Sequence, residues 1–235
     1  MDHSLPNVSG FIVSTSNGSI GYTADIRFHG RHQENSERFV EECRRAGLEI
    51  LLCEGTRIKE SISPSESSVE RDVKNIVNKT KNLVVCNYPA KDLDRFLSFY
   101  NAAKDSGRFM VIDLKQAYIL TLFQTSEIWK NTLPKPTDIN LKIYIPRRGW
   151  GLIDKDINFW TKRVKKWLVH FGLIRKDSEW YHIHVSGHGS RDQLQHIVKD
   201  CNSKRVIPIH TENEEYYTNW HNNVVNVALN SQMEI

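Results

Sequence analysis

The 235-residue sequence has only four cysteines, Cys43, Cys53, Cys86 and Cys201, and no two form a Cys-x-x-Cys pair. That argues against a disulfide frame or a thiolate-rich metal finger. It reads as isolated thiols in a reducing, cytoplasmic compartment. No run approaches the roughly eighteen apolar residues of a membrane span, so no membrane partner is expected. The opening Met1-Asp2-His3-Ser4-Leu5-Pro6 lacks the basic-then-apolar pattern of a secretion signal. Internal repeats and low-complexity tracts are missing too. Neither sign of charge dominates: 32 basic against 28 acidic residues leave a net charge of +4, compatible with an anionic partner but not diagnostic of one. What remains is a globular composition, 39% hydrophobic and 26% charged, long enough for one large domain or two small ones.

Strand and helix signals alternate along the chain. Phe11–Thr15 and Ser19–Thr23 are β-rich runs around Ser16-Asn17-Gly18, a hairpin signal that leaves Asp25 just past a strand end. Ser36 can cap a helix running to Ala46, with Gly47 ending it. Leu48–Cys53 reads as a buried strand delivering Glu54-Gly55-Thr56-Arg57. A helix is predicted over 65–79, a strand over 83–87, an amphipathic helix over 91–106, a strand over 109–113 and a helix over 116–123. Lys91, Asp94 and Arg95 read as helix-capping and solvated groups, and Asp113 and Lys115 as surface ion-pair partners. A short helix is expected over 193–200 and a last one over 216–229. The alternation argues an α/β fold with a largely parallel sheet. The stretch 134–177 differs, with two proline-rich patches, Trp150, Trp160 and Trp167, and the basic run Lys162-Arg163-Val164-Lys165-Lys166; it reads as an inserted module.

Two runs carry the clearest chemical signal. Tyr181-His182-Ile183-His184-Val185 leads into Ser186-Gly187-His188-Gly189-Ser190, and Val206-Ile207-Pro208-Ile209 leads into His210-Thr211-Glu212. Each reads as a β-branched strand ending in a polar loop with a histidine, an arrangement suited to a metal or phosphate site. His3 and Asp25 add two further polar tips. Taken singly, each of these is more simply a surface histidine or a turn aspartate; their arrangement is what points to a site. Arg147 and Arg148, in a loop after a strand, are the better candidates for contact with an RNA backbone, while the nearby tryptophans read as core of the inserted module.

Asp2-His3-Ser4-Leu5-Pro6, Tyr22-Thr23-Ala24-Asp25-Ile26-Arg27-Phe28-His29-Gly30 and Glu54-Gly55-Thr56-Arg57 together resemble the later half of a metallo-β-lactamase-fold hydrolase. Asn87-Tyr88-Pro89-Ala90-Lys91-Asp92-Leu93-Asp94-Arg95, the Ser-Gly-His-Gly-Ser run and Ile207-Pro208-Ile209-His210-Thr211-Glu212 resemble its β-CASP branch, which includes RNase J-type ribonucleases and messenger-RNA-precursor endonucleases. The resemblance implies zinc as cofactor, two ions in the intact family site. His3, Asp25 and His210 would be metal ligands, with Asp25 bridging. Glu54 would support the catalytic site, and His188 would contact the scissile phosphate. Ser186, Gly187, Gly189 and Ser190, by hydroxyl and backbone N–H, would help hold that phosphate. Thr56 and Arg57 would support Glu54.

The family's His-x-His-x-Asp-His motif is absent from the sequence; His182-Ile183-His184 matches only its first half. The implied fold is therefore the later half of a metallo-β-lactamase αββα sandwich, formed by 1–84 and 183–235, with an inserted β-CASP α/β domain over 85–182. The implied function is metal-dependent cleavage of RNA by zinc-activated water, with weak or no activity in the isolated chain. An upstream polypeptide or a second copy would complete the fold. The alternatives are a non-catalytic RNA- or partner-binding remnant and a superfamily hydrolase with another substrate.

Overall fold

A computed structural model describes residues 1–61, 63–145 and 181–227. Arg147, Arg148, the three tryptophans and the basic run of the inserted module lie outside the described residues. The chain divides into two compact units: Met1–Val69 with Asp92–Arg95 and Val185–Ile235, and Glu70–Lys91 with Phe96–His184.

The first unit is built on a four-stranded sheet. Strands β1 (Phe11–Thr15) and β2 (Gly18–Tyr22) form the expected antiparallel hairpin, with Ser16 and Asn17 at its tip. Gly18 has φ +129°, and a Cβ there would lie 2.0 Å from Cγ of Glu49, so only glycine fits. Helix α1 (Gln33–Ala46) follows, then β3 (Leu48–Glu54), which pairs parallel to β2. Later come helix α5 (Arg191–Cys201) and β6 (Arg205–Ile209), parallel to β3, giving the order β1-β2-β3-β6. One face of this sheet is closed by α1 and α5: Val40 and Cys43, and Leu194, Ile197, Val198 and Cys201, pack on Leu51, Cys53 and Val206.

Several expectations change here. Helix α1 starts three residues before Ser36, which is buried inside it; the Ser36 hydroxyl accepts the Asp2 N–H at 2.9 Å and so fixes the N-terminal segment instead of capping. Residues 181–185 form no strand. The last helix, α6 (Glu215–Thr218), is one turn, and the chain then bends back so that Val224 bridges Val206. Asn219, Asn222 and Asn223 disfavour helix continuation there.

The largest departure is a buried charge network. Arg27 has no exposed surface; its guanidinium donates to Asp2 Oδ1 (3.1 Å), Asp94 Oδ2 (2.7 Å) and the Ser186 carbonyl (3.1 Å). Arg95 donates to both oxygens of Glu66 (3.2 and 3.1 Å) and to the Val185 carbonyl. Asp94 and Arg95 are thus structural core groups, not solvated caps. Asp92 caps helix α3 (Leu93–Asp105) by accepting the Arg95 N–H at 3.0 Å. Burial pushes the Asp92 carboxyl up to about 6, against the partly compensating Arg95 N–H. Because this acid binds its proton more tightly in the folded state, its contribution to stability declines as pH rises from the unfolded aspartate range through about 6. Asp92→Asn keeps the cap acceptor and removes the charge. It is expected to raise stability by on the order of 2 kcal/mol at pH 8 and to change little at pH 4, read from urea midpoints.

The second unit takes up helix α2 (Glu66–Lys79) from Glu70 and α3 from Phe96. It also contains β4 (Met110–Ile112), helix α4 (Leu114–Phe123) and β5 (Leu141–Ile143), with β4 and β5 parallel. Val73, Phe96, Tyr100, Ile112, Leu120 and Trp129 are among its buried residues. Asp113 caps α4, accepting the Gln116 N–H at 2.7 Å. Residues 83–87 are irregular, not a strand, and Leu83 and Val85 are exposed. That segment is entered past a cap at the end of α2, where Arg108 donates to the carbonyls of Val77, Thr80 and Asn82. Among the described residues it finds no strand to pair with. The sheet of the first unit is mixed and six helices are described in all, which is an α/β fold.

Candidate metal centre

Asp25, Glu54 and His210 sit at the carboxyl ends of the neighbouring parallel strands β2, β3 and β6, the edge where open α/β sheets gather ligands. Local backbone turns aim them. Ala24 (φ 48°) and His210 (φ 54°) both adopt the left-handed conformation, which takes the chain sharply off each strand. The hydroxyl of buried Tyr217 donates to the Glu54 carbonyl at 2.6 Å and steadies the β3 end. His3 reaches the same place from the N-terminal segment. Its neighbour Asp2 is locked by Arg27 and by the Gly30 N–H at 2.7 Å, and Asp2 O accepts the Arg27 N–H at 3.0 Å.

His3, Asp25 and His188 offer donor atoms that all lie within 4.8 Å of one another. Nε2 of His3 is 3.9 Å from Asp25 Oδ2, and Nδ1 of His188 is 3.9 Å from Asp25 Oδ1. His210 Nδ1 is also 3.9 Å from Asp25 Oδ1, so His210 joins the group through Asp25, on its more exposed side. The structure thus sets His188, read from the sequence as a phosphate contact, among the nearest donors. Glu54 is fully buried; its carboxylate accepts from the amides of Ile26 (3.4 Å) and Thr56 (2.9 Å) and lies 3.4 Å from His188 Nδ1. Arg57 reaches the His188 carbonyl at 3.5 Å and Ser63 at 2.6 Å.

The electrostatics separate the two histidines. Burial pulls the His3 ring below the ordinary histidine range, with nearby His188 adding to the effect. Glu54 holds the His188 ring above that range, against the cost of burial. Burial also opposes the Glu54 charge, but His188 and the Thr56 amide outweigh it, so the carboxyl lies below its usual range. The His3 ring therefore gives up its proton more readily than the His188 ring, and both face Asp25.

Two observations fit these residues to a zinc ion. Among the described residues, Nε2 of His3 is a buried nitrogen without a hydrogen-bond partner, and Nδ1 of His188 is buried with the Glu54 carboxylate 3.4 Å away. Two imidazoles and a carboxylate are also the donor types of open zinc sites. One adjustment is needed: Nδ1 of His3 accepts the Leu5 N–H at 3.0 Å, so ligation through Nε2 requires the ring proton to move to Nδ1 and that amide to turn away.

The Ser186–Ser190 loop differs from its sequence reading. The His188 N–H is given to Ser186 Oγ (3.1 Å), the Gly189 N–H to Ile26 O (2.7 Å) and the Ser190 N–H to Gln193 Oε1 (3.2 Å). Ser190 is buried in the capping box of α5. These backbone donors are spent on acceptors within the protein, which holds the His188 ring in place instead of presenting a nest of N–H groups to an anion. Sequence reasoning missed Asp2, Arg27 and His29 as supports of the site. A charged residue set directly between the apolar Ile26 and Phe28 was the available signal.

Residues 175–218, which include the His188 loop and His210, match the family model of the Zn-dependent metallo-hydrolase RNA specificity domain. The match supports the metallo-β-lactamase-fold superfamily and, at the level of that family, zinc dependence and RNA specificity. Over nearly the whole chain, the structure resembles that of a protein of unknown function from Enterococcus faecalis V583. The TM-score is 0.68 at 17% identity, covering 97% of this chain and 60% of that one, and the likeness is one of fold. The chain thus spans less than two thirds of that protein's length. The comparison with curated proteins gave no match. No described helix is long and apolar enough to cross a membrane.

Proposed function

We propose that the chain is part of a zinc-dependent ribonuclease of the β-CASP branch. The first unit would be the later part of the αββα sandwich, and the second would carry the β-CASP module. The observation that carries this reading is the His3–Asp25–His188 cluster, with His210 beside it, at the strand ends of a chain whose residues 175–218 match an RNA specificity domain. His3, Asp25 and His188 would hold the ion, with His210 as the fourth donor. Zinc supplies Lewis-acid charge that polarises a phosphoryl oxygen and acidifies water. The chain's own groups do the rest. Asp25 orients the three rings, Glu54 fixes His188, and a polar cavity adjoins His210. That cavity, about 380 Å³, is lined by Gly55, Thr56, His210, Thr211, Glu212 and Asn213 and can take a polar part of a substrate. Arg147 and Arg148 remain the proposed contacts to the RNA backbone.

Since zinc wants about four donors, these side chains suffice for one ion, and a second would need donors of the His-x-His-x-Asp-His kind. A 5′-labelled single-stranded RNA, given zinc and a polypeptide bearing that motif, is expected to be cleaved. Chelation or Asp25→Asn should stop the cleavage. The committed loop amides favour a second reading, an RNA-binding protein without hydrolytic activity. Salt-dependent RNA binding with no cleavage under any of these conditions would select it, and absence of both binding and cleavage would sink both readings.

Ligation through His188 would require loss of the proton that Glu54 helps the ring to retain. Affinity is therefore expected to fall steeply as pH drops from 8 to 6, with protons released on binding, and Glu54→Gln should flatten that dependence. Zinc titrations at the two pH values check this.

A further inference from the structure

His29 lies four residues past Asp25, is 6% exposed, and points both ring nitrogens at oxygens that can only accept. Nε2 is 3.0 Å from the Ser186 carbonyl, which also accepts from Arg27 at 3.1 Å. Nδ1 is 3.0 Å from Oε1 of Gln193. The backbone settles that this atom is oxygen, because it also accepts the Ser190 N–H at 3.2 Å. A neutral imidazole has one N–H, so one of these contacts would set a lone pair against a lone pair at 3.0 Å; a ring with two N–H groups satisfies both. The two acceptors bracket the His188 loop, Ser186 at one end and Ser190, through Gln193, at the other.

We infer that His29 is a positioning residue which, as a doubly donating imidazolium, clamps both ends of the Ser186–Ser190 loop and thereby sets the His188 ring against His3 and Asp25. Burial and Arg27 work against the proton on His29; the Ser186 carbonyl, Gln193 and Asp2 favour it, and the balance pulls the ring below its ordinary range. The two-ended clamp is therefore complete only where the ring holds its proton, on the acidic side of the ordinary histidine range. Loss of the proton makes one contact repulsive and frees one end of the loop. The metal centre proposed above gives the loop its purpose, but the clamp is a property of the metal-free chain and is tested there.

The test is a histidine ring-nitrogen NMR titration of the metal-free protein from pH 5 to 8.5. Below its transition, His29 is expected to carry protons on both nitrogens, and the amides of Gly187, His188 and Gly189 should shift in the same transition. Gln193→Glu keeps an acceptor at the third position of α5, where glutamate suits a capping box, and adds a negative charge beside His29. It should move the transition to higher pH. His29→Phe should weaken zinc binding about 10- to 100-fold, as removal of a group supporting a ligand does. A single-N–H ring throughout the titration, or a transition that Gln193→Glu leaves in place, would overturn the inference. A clamp transition in a chain that binds no zinc would uphold it while sinking the metal-centre reading.

Discussion

Replacing Arg27 with methionine is expected to cost about 3–5 kcal/mol of folding free energy, a large share of the roughly 5–15 kcal/mol that holds a domain together. Methionine fills similar volume, so the loss is electrostatic. Asp2 and Asp94, both buried, each keep a carboxylate whose direct partner has gone, and Glu66 loses a cation at 3.7 Å. Lost attraction between well-placed charges matters less here than the burden of leaving these buried carboxylates without their cation. The deficit should shrink on acidification. Burial already holds Asp94 above the ordinary aspartate range even with Arg27 in place, and without that cation it takes up a proton more readily still. The variant is therefore expected to lose stability relative to wild type as pH rises from 5 to 8. Urea unfolding at both pH values measures this; a loss below about 1 kcal/mol at pH 8 would show that the network is not the brace described. Because Asp2 adjoins His3, and Ser186 accepts from the same guanidinium, the variant should also misplace two of the three donors.

Gly187→Ala is the second large effect, and it falls on the site more than on the fold. A Cβ at this position would lie 2.5 Å from Ser4 Oγ and 2.7 Å from His3 Nε2, the nitrogen proposed to hold zinc. One methyl group must therefore displace the ring or the loop. Overpacking of this kind costs about 1–3 kcal/mol. Its effect on the site should be greater, with zinc affinity falling at least 10-fold, to judge from the penalty for disturbing groups that orient a ligand. Removing the serine contact with Ser4→Gly in the same chain should restore stability in part but not zinc affinity, since His3 stays obstructed. Equal recovery of both would mean that the His3 ring does not lie where the donor cluster requires.

Local rules made much of this chain legible. The Asn-Gly signal located the first hairpin, the apolar run Leu48–Cys53 became the central strand, and helices α2 to α4 lie within two residues of their predicted ends. Strand ends as ligand carriers made Asp25 and His210 candidates, and the family resemblance added Glu54. The failures share a cause: they depend on partners distant in sequence. Asp2, Arg27 and Asp94 are separated by 25 and 67 residues along the chain and meet only in the folded core. Ser36 looks like a cap because nothing local shows that Asp2 needs its hydroxyl. Residues 83–87 have strand composition but, among the described residues, no neighbouring strand, and 181–185 likewise. The family resemblance, supported by glycine- and serine-rich surroundings, made His188 a phosphate contact. Only the folded loop reveals that its amides are already spent and that its ring faces Asp25.

The central claim is that His3, Asp25 and His188 form a zinc centre. Its most direct test is cobalt and zinc titration of the wild-type chain, Asp25→Asn and His188→Ala, each first shown to be folded. The account predicts stoichiometric binding by wild type, with the visible spectrum of a histidine- and carboxylate-ligated cobalt ion, and loss of that binding in both variants. A folded wild-type chain that takes up no stoichiometric metal, or variants that bind as well as it does, would contradict the account.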